Sequence, residues 1–308
     1  MDTDDPFESH RPRLFALAYR MLGSRAEAED VVQDTWLRWH RAGPATVRDP
    51  EAWLVAAATR LGIDRLRAAR ARRERYAGPW LPEPLRIEAS DAAAGAGLEG
   101  RADDAPGPAR RAETAQQVSL AFLAVLERLG PEERAAYLLR EAFDYDHAQI
   151  AALLGRSEAS CRQMVHRARE RIQAGRPRFE VSPQRHRRLL ERFMQAARQG
   201  DREAVAALLR EDARLVSDGG GKALAAIRPL LGAERIARLF WAAYRRRDPA
   251  VAWRMGRVNG EPAILRYRDD VLVAAMVAVS DGERIAELLN VANPDKLGVT
   301  PPAAAASW

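Results

Sequence analysis

The sequence predicts a multidomain chain: two all-α modules, a helical bundle and a helix-turn-helix, followed by a C-terminal α+β domain. Three observations predict it. From 7 to 73, three helical patterns follow one another, and the last ends in a block of arginines. Between Pro131 and Gln173, apolar residues again recur at helical spacing, interrupted twice by turn residues. From 251 to 291 the period changes to the alternation of strands, broken by Asn259-Gly260, Asp269-Asp270 and Asp281-Gly282, which read as hairpin turns.

In the first module, residues 7 to 22 form a helix with Phe7, Leu14, Phe15, Ala18 and Leu22 as candidate core. Ser24 caps a second helix, whose apolar face is Ala28, Val31, Val32, Thr35, Trp36 and Trp39 and whose opposite face offers Asp30, Gln33, Asp34 and Arg38. Asp49 and Pro50 supply the N-cap and N1 proline of a third helix, roughly 50 to 73. Its first half is apolar (Trp53, Leu54, Ala57, Leu61), and its second half leaves the core as a basic rod suited to a polyanion.

The helix-turn-helix lies between 131 and 173. A helix over Asp146 to Leu154 buries Ile150, Leu153 and Leu154 and stops at Gly155, where a left-handed C-cap is wanted. Ser157 caps the next helix, in which Cys161, Val165, Ala168 and Ile172 point inward. Ala159, Ser160, Arg162, Gln163, His166 and Arg167 then face outward, followed by Arg169 and Arg171. The N-terminal part of such a helix enters the major groove, where Arg reads guanine and Gln reads adenine, so Arg162 and Gln163 are the candidate base readers. His166, Arg167 and Arg169 are placed for phosphates, which fix register without reading sequence. A solvated basic helix in an ordinary bundle is the bland alternative.

The net charge of +6 and a pI near 9.9 admit a polyanionic partner, and the distribution is more telling. Arg60, Arg65, Arg67, Arg70, Arg72, Arg73 and Arg75 form one basic block, and the helix-turn-helix with its sequel to Arg178 forms another, which implies two nucleic-acid contacts. The single cysteine excludes an internal disulfide and a Cys-cluster metal site, and no cofactor is expected. Cys161 reads as a small buried hydrophobe. No apolar run reaches eighteen residues and the start, MDTDDPFE, is acidic, so a soluble cytoplasmic protein with no membrane partner is expected.

Residues 77 to 113 read as a linker, without apolar periodicity except at Trp80-Leu81-Pro82-Glu83-Pro84, whose prolines impose an extended shape and whose Trp and Leu offer anchors. Composition alone leaves it equally a docking peptide or the packed end of the preceding module. Residues 185 to 210 and 233 to 247 are helical by pattern. With the strands after them they make a curved antiparallel meander, an α+β cone.

These stretches resemble a known family. The second helix resembles region 2.2 of extracytoplasmic-function sigma factors, the third regions 2.3 and 2.4, and VLERLGPEERAAYLLREAFDYDHAQIAALLGRSEASCRQMVHRAR region 4. WLPEP, DGGGK (Asp218, Gly219, Gly220, Gly221, Lys222) and NPDKL (Asn293, Pro294, Asp295, Lys296, Leu297) are similar to the marks of the subgroup that carries a C-terminal SnoaL-like domain. The resemblance implies sigma region 2 over 7–76, the linker over 77–113, sigma region 4 over 114–176, a SnoaL-like regulatory domain over 183–297 and a tail over 298–308. It implies core RNA polymerase and promoter DNA as partners. Asp30, Gln33 and Asp34 would meet the polymerase clamp, and Arg48, Trp53, Thr59, Arg60, Asp64 and Arg65 the −10 element. Ser160, Arg162, Gln163, His166, Arg167 and Arg169 would meet the −35 element.

The expected function is a sigma factor regulated in cis by its C-terminal domain, with DGGGK near WLPEP, Glu83 facing Lys222, and NPDKL between cone and sigma modules. Both lysines of the chain, Lys222 and Lys296, fall in these motifs. A cone can also be a cyclase or isomerase, but no histidine follows His186, and Asp269 and Asp270 sit at a hairpin tip. DGGGK lacks the spacing of a phosphate loop. A third reading is a small-molecule sensor: a buried apolar cavity with convergent polar groups favours it, and a filled interior favours a mechanical clamp.

Overall fold

The computed structural model describes residues 6–43, 46–89, 119–175, 181–246 and 248–298. Most of the expected linker, the first residues of the expected region 4, Arg178 and nearly all of the tail lie outside these. The chain divides into two compact units, Met1–Arg75 with Leu123–Arg176, and Tyr76–Phe122 with Pro177–Trp308.

The first unit is helical: α1 (Pro6–Leu22), α2 (Arg25–Ala42), α3 (Pro50–Arg73), α4 (Leu120–Leu126), α5 (Pro131–Phe143), α6 (His147–Leu154) and α7 (Glu158–Gly175). The Asp49 side chain accepts from Ala52 N at 3.0 Å and Pro50 opens α3 where no N–H is needed. Asp146 and Gln149 form a reciprocal capping box that starts α6, which ends at the left-handed Gly155. Ser157 Oγ accepts from Ser160 N at 3.2 Å and starts α7. Phe7, Leu14, Ala18 and Leu22 are buried as expected, whereas Phe15 is half-buried. Trp36 departs from expectation, being 38% exposed: the apolar stripe of α2 is narrower than its periodicity implied, and Trp39 alone goes inward. The arginine block also departs from expectation. It does not leave the core as a free rod, because α3 packs against α5 as well as α1 and α2.

The second unit is α8 (Pro183–Gln199), α9 (Arg202–Ala207), α10 (Ala233–Arg245) and α11 (Pro294–Leu297) with a 7-stranded mixed sheet of order β1-β4-β5-β6-β7-β2-β3. The strands are β1 (Ile87–Ala89), β2 (Leu209–Asp218), β3 (Leu230–Leu231), β4 (Val251–Val258), β5 (Glu261–Arg268), β6 (Val271–Ser280) and β7 (Ile285–Val291). β4 to β7 are the expected meander, and Asn259-Gly260 and Asp269-Asp270 turn with positive φ at both residues, as two-residue hairpins require. Two features were not expected. The segment 185 to 210 is two helices broken at Gly200, after which β2 runs parallel to β7. And the linker contributes a strand, β1, antiparallel to β4. That crossing needs Gly256, where an added Cβ would come within 2.4 Å of Glu88 O.

One face of the sheet is covered by α8, α9 and α10. Leu189, Leu190, Phe193, Ile236, Ile264, Met276 and Leu288 fill this core, and Phe193, Phe240 and Trp253 continue it by edge-on ring contacts at 5.1 and 6.3 Å.

Candidate functional site

Three groups of side chains carry the expected functions. On α7, Arg162, Gln163, His166, Arg167 and Arg169 are exposed and Ser160 is half-buried, while Cys161, Met164, Val165, Ala168 and Ile172 are buried. The polar face is held in order by carboxylates. Arg162 pairs with Glu158 within the helix, and Arg167 and Arg171 both reach Glu133 of α5. Arg169 pairs with Glu141 of α5 at 2.6 Å. Burial pushes the Cys161 thiol up, as for a structural hydrophobe.

The second group is on α2 and α3. Arg65 donates to Asp30 at 2.9 Å and to Asp34 at 2.6 Å. Burial alone would lower its pKa, but the two carboxylates outweigh that and raise it. A residue expected at DNA and two expected at polymerase are thus each other's partners. Gln33 and Arg48 are exposed, Asp64 is exposed beside Arg67, and Trp53 stacks at a tilt on Trp39. Thr59 does not fit a DNA-facing role. Its side chain is fully buried with Oγ1 unpartnered, because position 59 lies on the core side of α3, and Arg60 is the exposed neighbour.

The third group joins the linker to the C-terminal domain within the second unit. Successive strand residues alternate faces, so Asp218, the last of β2, points to the sheet face opposite the helices. There its carboxylate, buried, accepts from Tyr76 Oη at 2.6 Å, from the backbone N of Leu81 at 2.8 Å and from Lys296 Nζ at 2.6 Å. Lys296 also donates to Leu81 O and stands 4.0 Å from the Trp80 ring centroid and 5.2 Å from that of Tyr76. Asn293 Nδ2 donates to Tyr76 Oη at 2.8 Å. Burial first, then the Asp218 hydrogen bond and charge, push the Tyr76 hydroxyl up. Leu81, Pro82 and Pro84 are buried, while Trp80 and Glu83 are half-buried. Gly220, at φ +60, leaves the space this cluster needs, since a Cβ there would fall 2.3 Å from Asn293 Nδ2.

The charge pairing corrects the expectation. Lys222 pairs with Asp295, not Glu83, because the triple-glycine turn carries it to the start of α11. The lysine that meets the linker is Lys296, and NPDKL packs on the linker itself. Two partners escaped the sequence reading. Tyr76 follows the arginine block with nothing in its spacing to set it apart. Asn259, read only as a turn residue, accepts from Leu85 N at 2.8 Å and Arg86 N at 3.1 Å.

Residues 6–72 match the family model of Sigma-70 region 2, and 119–172 that of Sigma-70 region 4. The chain is 36% identical to the ECF RNA polymerase sigma factor SigJ of Mycobacterium tuberculosis over 96% of its own length and 93% of that protein. This chain belongs to the extracytoplasmic-function sigma factors. It is also 29% identical to the probable ECF RNA polymerase sigma factor SigI of the same organism, over 96% of this chain and 97% of that one. The crystal structure of M. tuberculosis SigJ superposes with a TM-score of 0.70 at 33% identity, covering 96% of this sigma factor and 98% of that chain. SigJ and SigI are named as sigma factors, not as enzymes. No helix among the described residues is long and apolar enough to cross a membrane.

Proposed function

We propose that this sigma factor directs core RNA polymerase to promoters through α3 and α7, and that its C-terminal domain modulates that activity in cis by gripping the linker between the two DNA modules. Arg162 and Gln163 read the −35 element from the exposed face of α7, with Ser160, His166, Arg167 and Arg169 on its backbone. Arg48, Trp53, Arg60, Asp64 and Arg65 serve the −10 element. Asp30, Gln33 and Asp34 serve core polymerase, and to do both Arg65 has to change partners.

The observation that supports cis modulation is the buried Asp218–Lys296 pair closed on the backbone N–H and C=O of Leu81. A contact made to backbone fixes the position of the linker, and tethering makes even a weak grip effective. The filled core of the domain favours a mechanical clamp over a ligand sensor. Run-off transcription with core polymerase, comparing the whole chain with one ending near Gly175, tests both parts. Promoter-specific transcript from both, with output or promoter choice changed by truncation, is expected. Identical output removes the cis regulation, and no transcript from either removes the sigma assignment.

A further inference from the structure

The arginines of α3 that sequence assigns to promoter DNA are engaged inside the first unit. Arg67 pairs with Glu132 of α5 at 2.7 Å, and Glu132 holds Arg156 of the α6–α7 turn at 3.0 Å. Arg60 donates to Leu153 O at the end of α6 at 3.4 Å, and Arg70 to Leu129 O just before α5. Deeper in, Glu127 binds both Arg73 and Arg134, whose other donors reach the carbonyls of Leu22 and Arg20 at the end of α1. The C-terminal end of a helix offers such unpaired carbonyls and partial negative charge. Each of these α3 arginines meets a carboxylate or a carbonyl, the same acceptor chemistry as a phosphate oxygen.

We propose that the chain folds into a self-occupied form, in which acceptors of the region-4 module stand in for promoter phosphates on α3 and keep this helix from DNA until they are displaced. This rests on the reading of α3 as a DNA-facing helix. The interface is poised to open. Arg73 and Arg134 share one carboxylate, Glu127, burial lowers the pKa of Arg73 and of Arg20, and Arg134 Nη2 is a buried donor without a partner. Such a cluster is held by mutual geometry more than by a surplus of attraction. The outer pair, Arg67–Glu132, is partly exposed and exchanges readily with phosphate.

An arginine that trades a carboxylate for a phosphate releases fewer counterions than one that was solvated, so self-occupation flattens the salt dependence of DNA binding. The test is a cycle on the full chain without polymerase. Parent, Glu132→Gln, Arg67→Gln and the double variant are titrated against a fluorescent promoter duplex with an unpaired −10 segment, over a salt series. Glu132→Gln is expected to tighten binding about threefold and steepen the salt slope by about 0.9. In the Arg67→Gln background that gain should shrink to the level given by Glu8→Gln, an exposed carboxylate on α1. A gain that survives Arg67→Gln overturns the proposal, as does undetectable binding of both parent and Glu132→Gln at the lowest salt. If Arg67→Gln weakens binding equally in both backgrounds, self-occupation fails while α3 stands as a DNA helix. If it changes nothing in either, the reading of α3 fails first. Glu127→Gln, with its thermal melt recorded to separate opening from unfolding, should give a larger gain by freeing Arg73.

Discussion

Asp218 takes three donors from three parts of the second unit, and its chemistry sets what each substitution does. Asp218→Asn keeps the shape but leaves the largely buried Lys296 cation uncompensated, and breaking a buried pair in this way costs about 3–5 kcal/mol. The urea midpoint of the second unit should fall accordingly, and proteolysis within 77–89 should quicken; an unchanged midpoint would show that the pair is not a clamp. Trp80→Ala and Lys296→Met should couple in a double-mutant cycle by about 0.5–2 kcal/mol, the range of a cation over an indole face. Glu261 gives a pH signature. Burial pushes its carboxyl up to about 7 against a bond from Ser119, so the folded form prefers it protonated. Its contribution is therefore full below the ordinary glutamate range near 4.5 and is lost as pH rises through 7. The melting temperature of Glu261→Gln should exceed that of the parent by more at pH 8 than at pH 5, and a constant difference would refute this.

At the scale of the element, α7 was the most legible part of the chain, because cap, turn and polar face are all local signals. Arg162→Ala should cost on the order of 1–3 kcal/mol and relax discrimination at one base pair of the −35 element. Arg167→Ala should weaken all sequences alike and flatten the salt slope, and equal sequence-blind losses from both would remove base reading from Arg162. Other elements were read less well for physical reasons. Thr59 and Arg60 are adjacent in the motif but about 100° apart on the helix, so one is core and the other surface. β2 begins Leu209-Arg210-Glu211-Asp212, and three charged side chains in a row hid its strand character until Ala213, where one side of it turns inward. Its pairing with β7 is long-range and parallel, which no local pattern announces.

For the whole molecule, composition and period gave the order of helical, helical and mixed parts. They could not give the partners of charges, since pairing depends on which faces meet. Glu83 with Lys222 was argued from complementary chemistry alone, and the fold instead gave Lys222 to Asp295 and Lys296 to the linker.

The linker strand β1 also finishes the sheet. Both outermost strands are very short, β1 with 3 residues and β3 with 2, and strands that end a sheet invite pairing with foreign chains unless they are brief or covered. Holding the linker therefore protects solubility as well as placing the DNA modules: when the linker lets go, Gly256, Arg257 and Val258 of β4 regain open backbone donors and acceptors. A fragment beginning at Pro183 lacks that cover from the outset, so it should self-associate edge to edge, and a synthetic peptide spanning Tyr76–Ala89 should return it to the monomer.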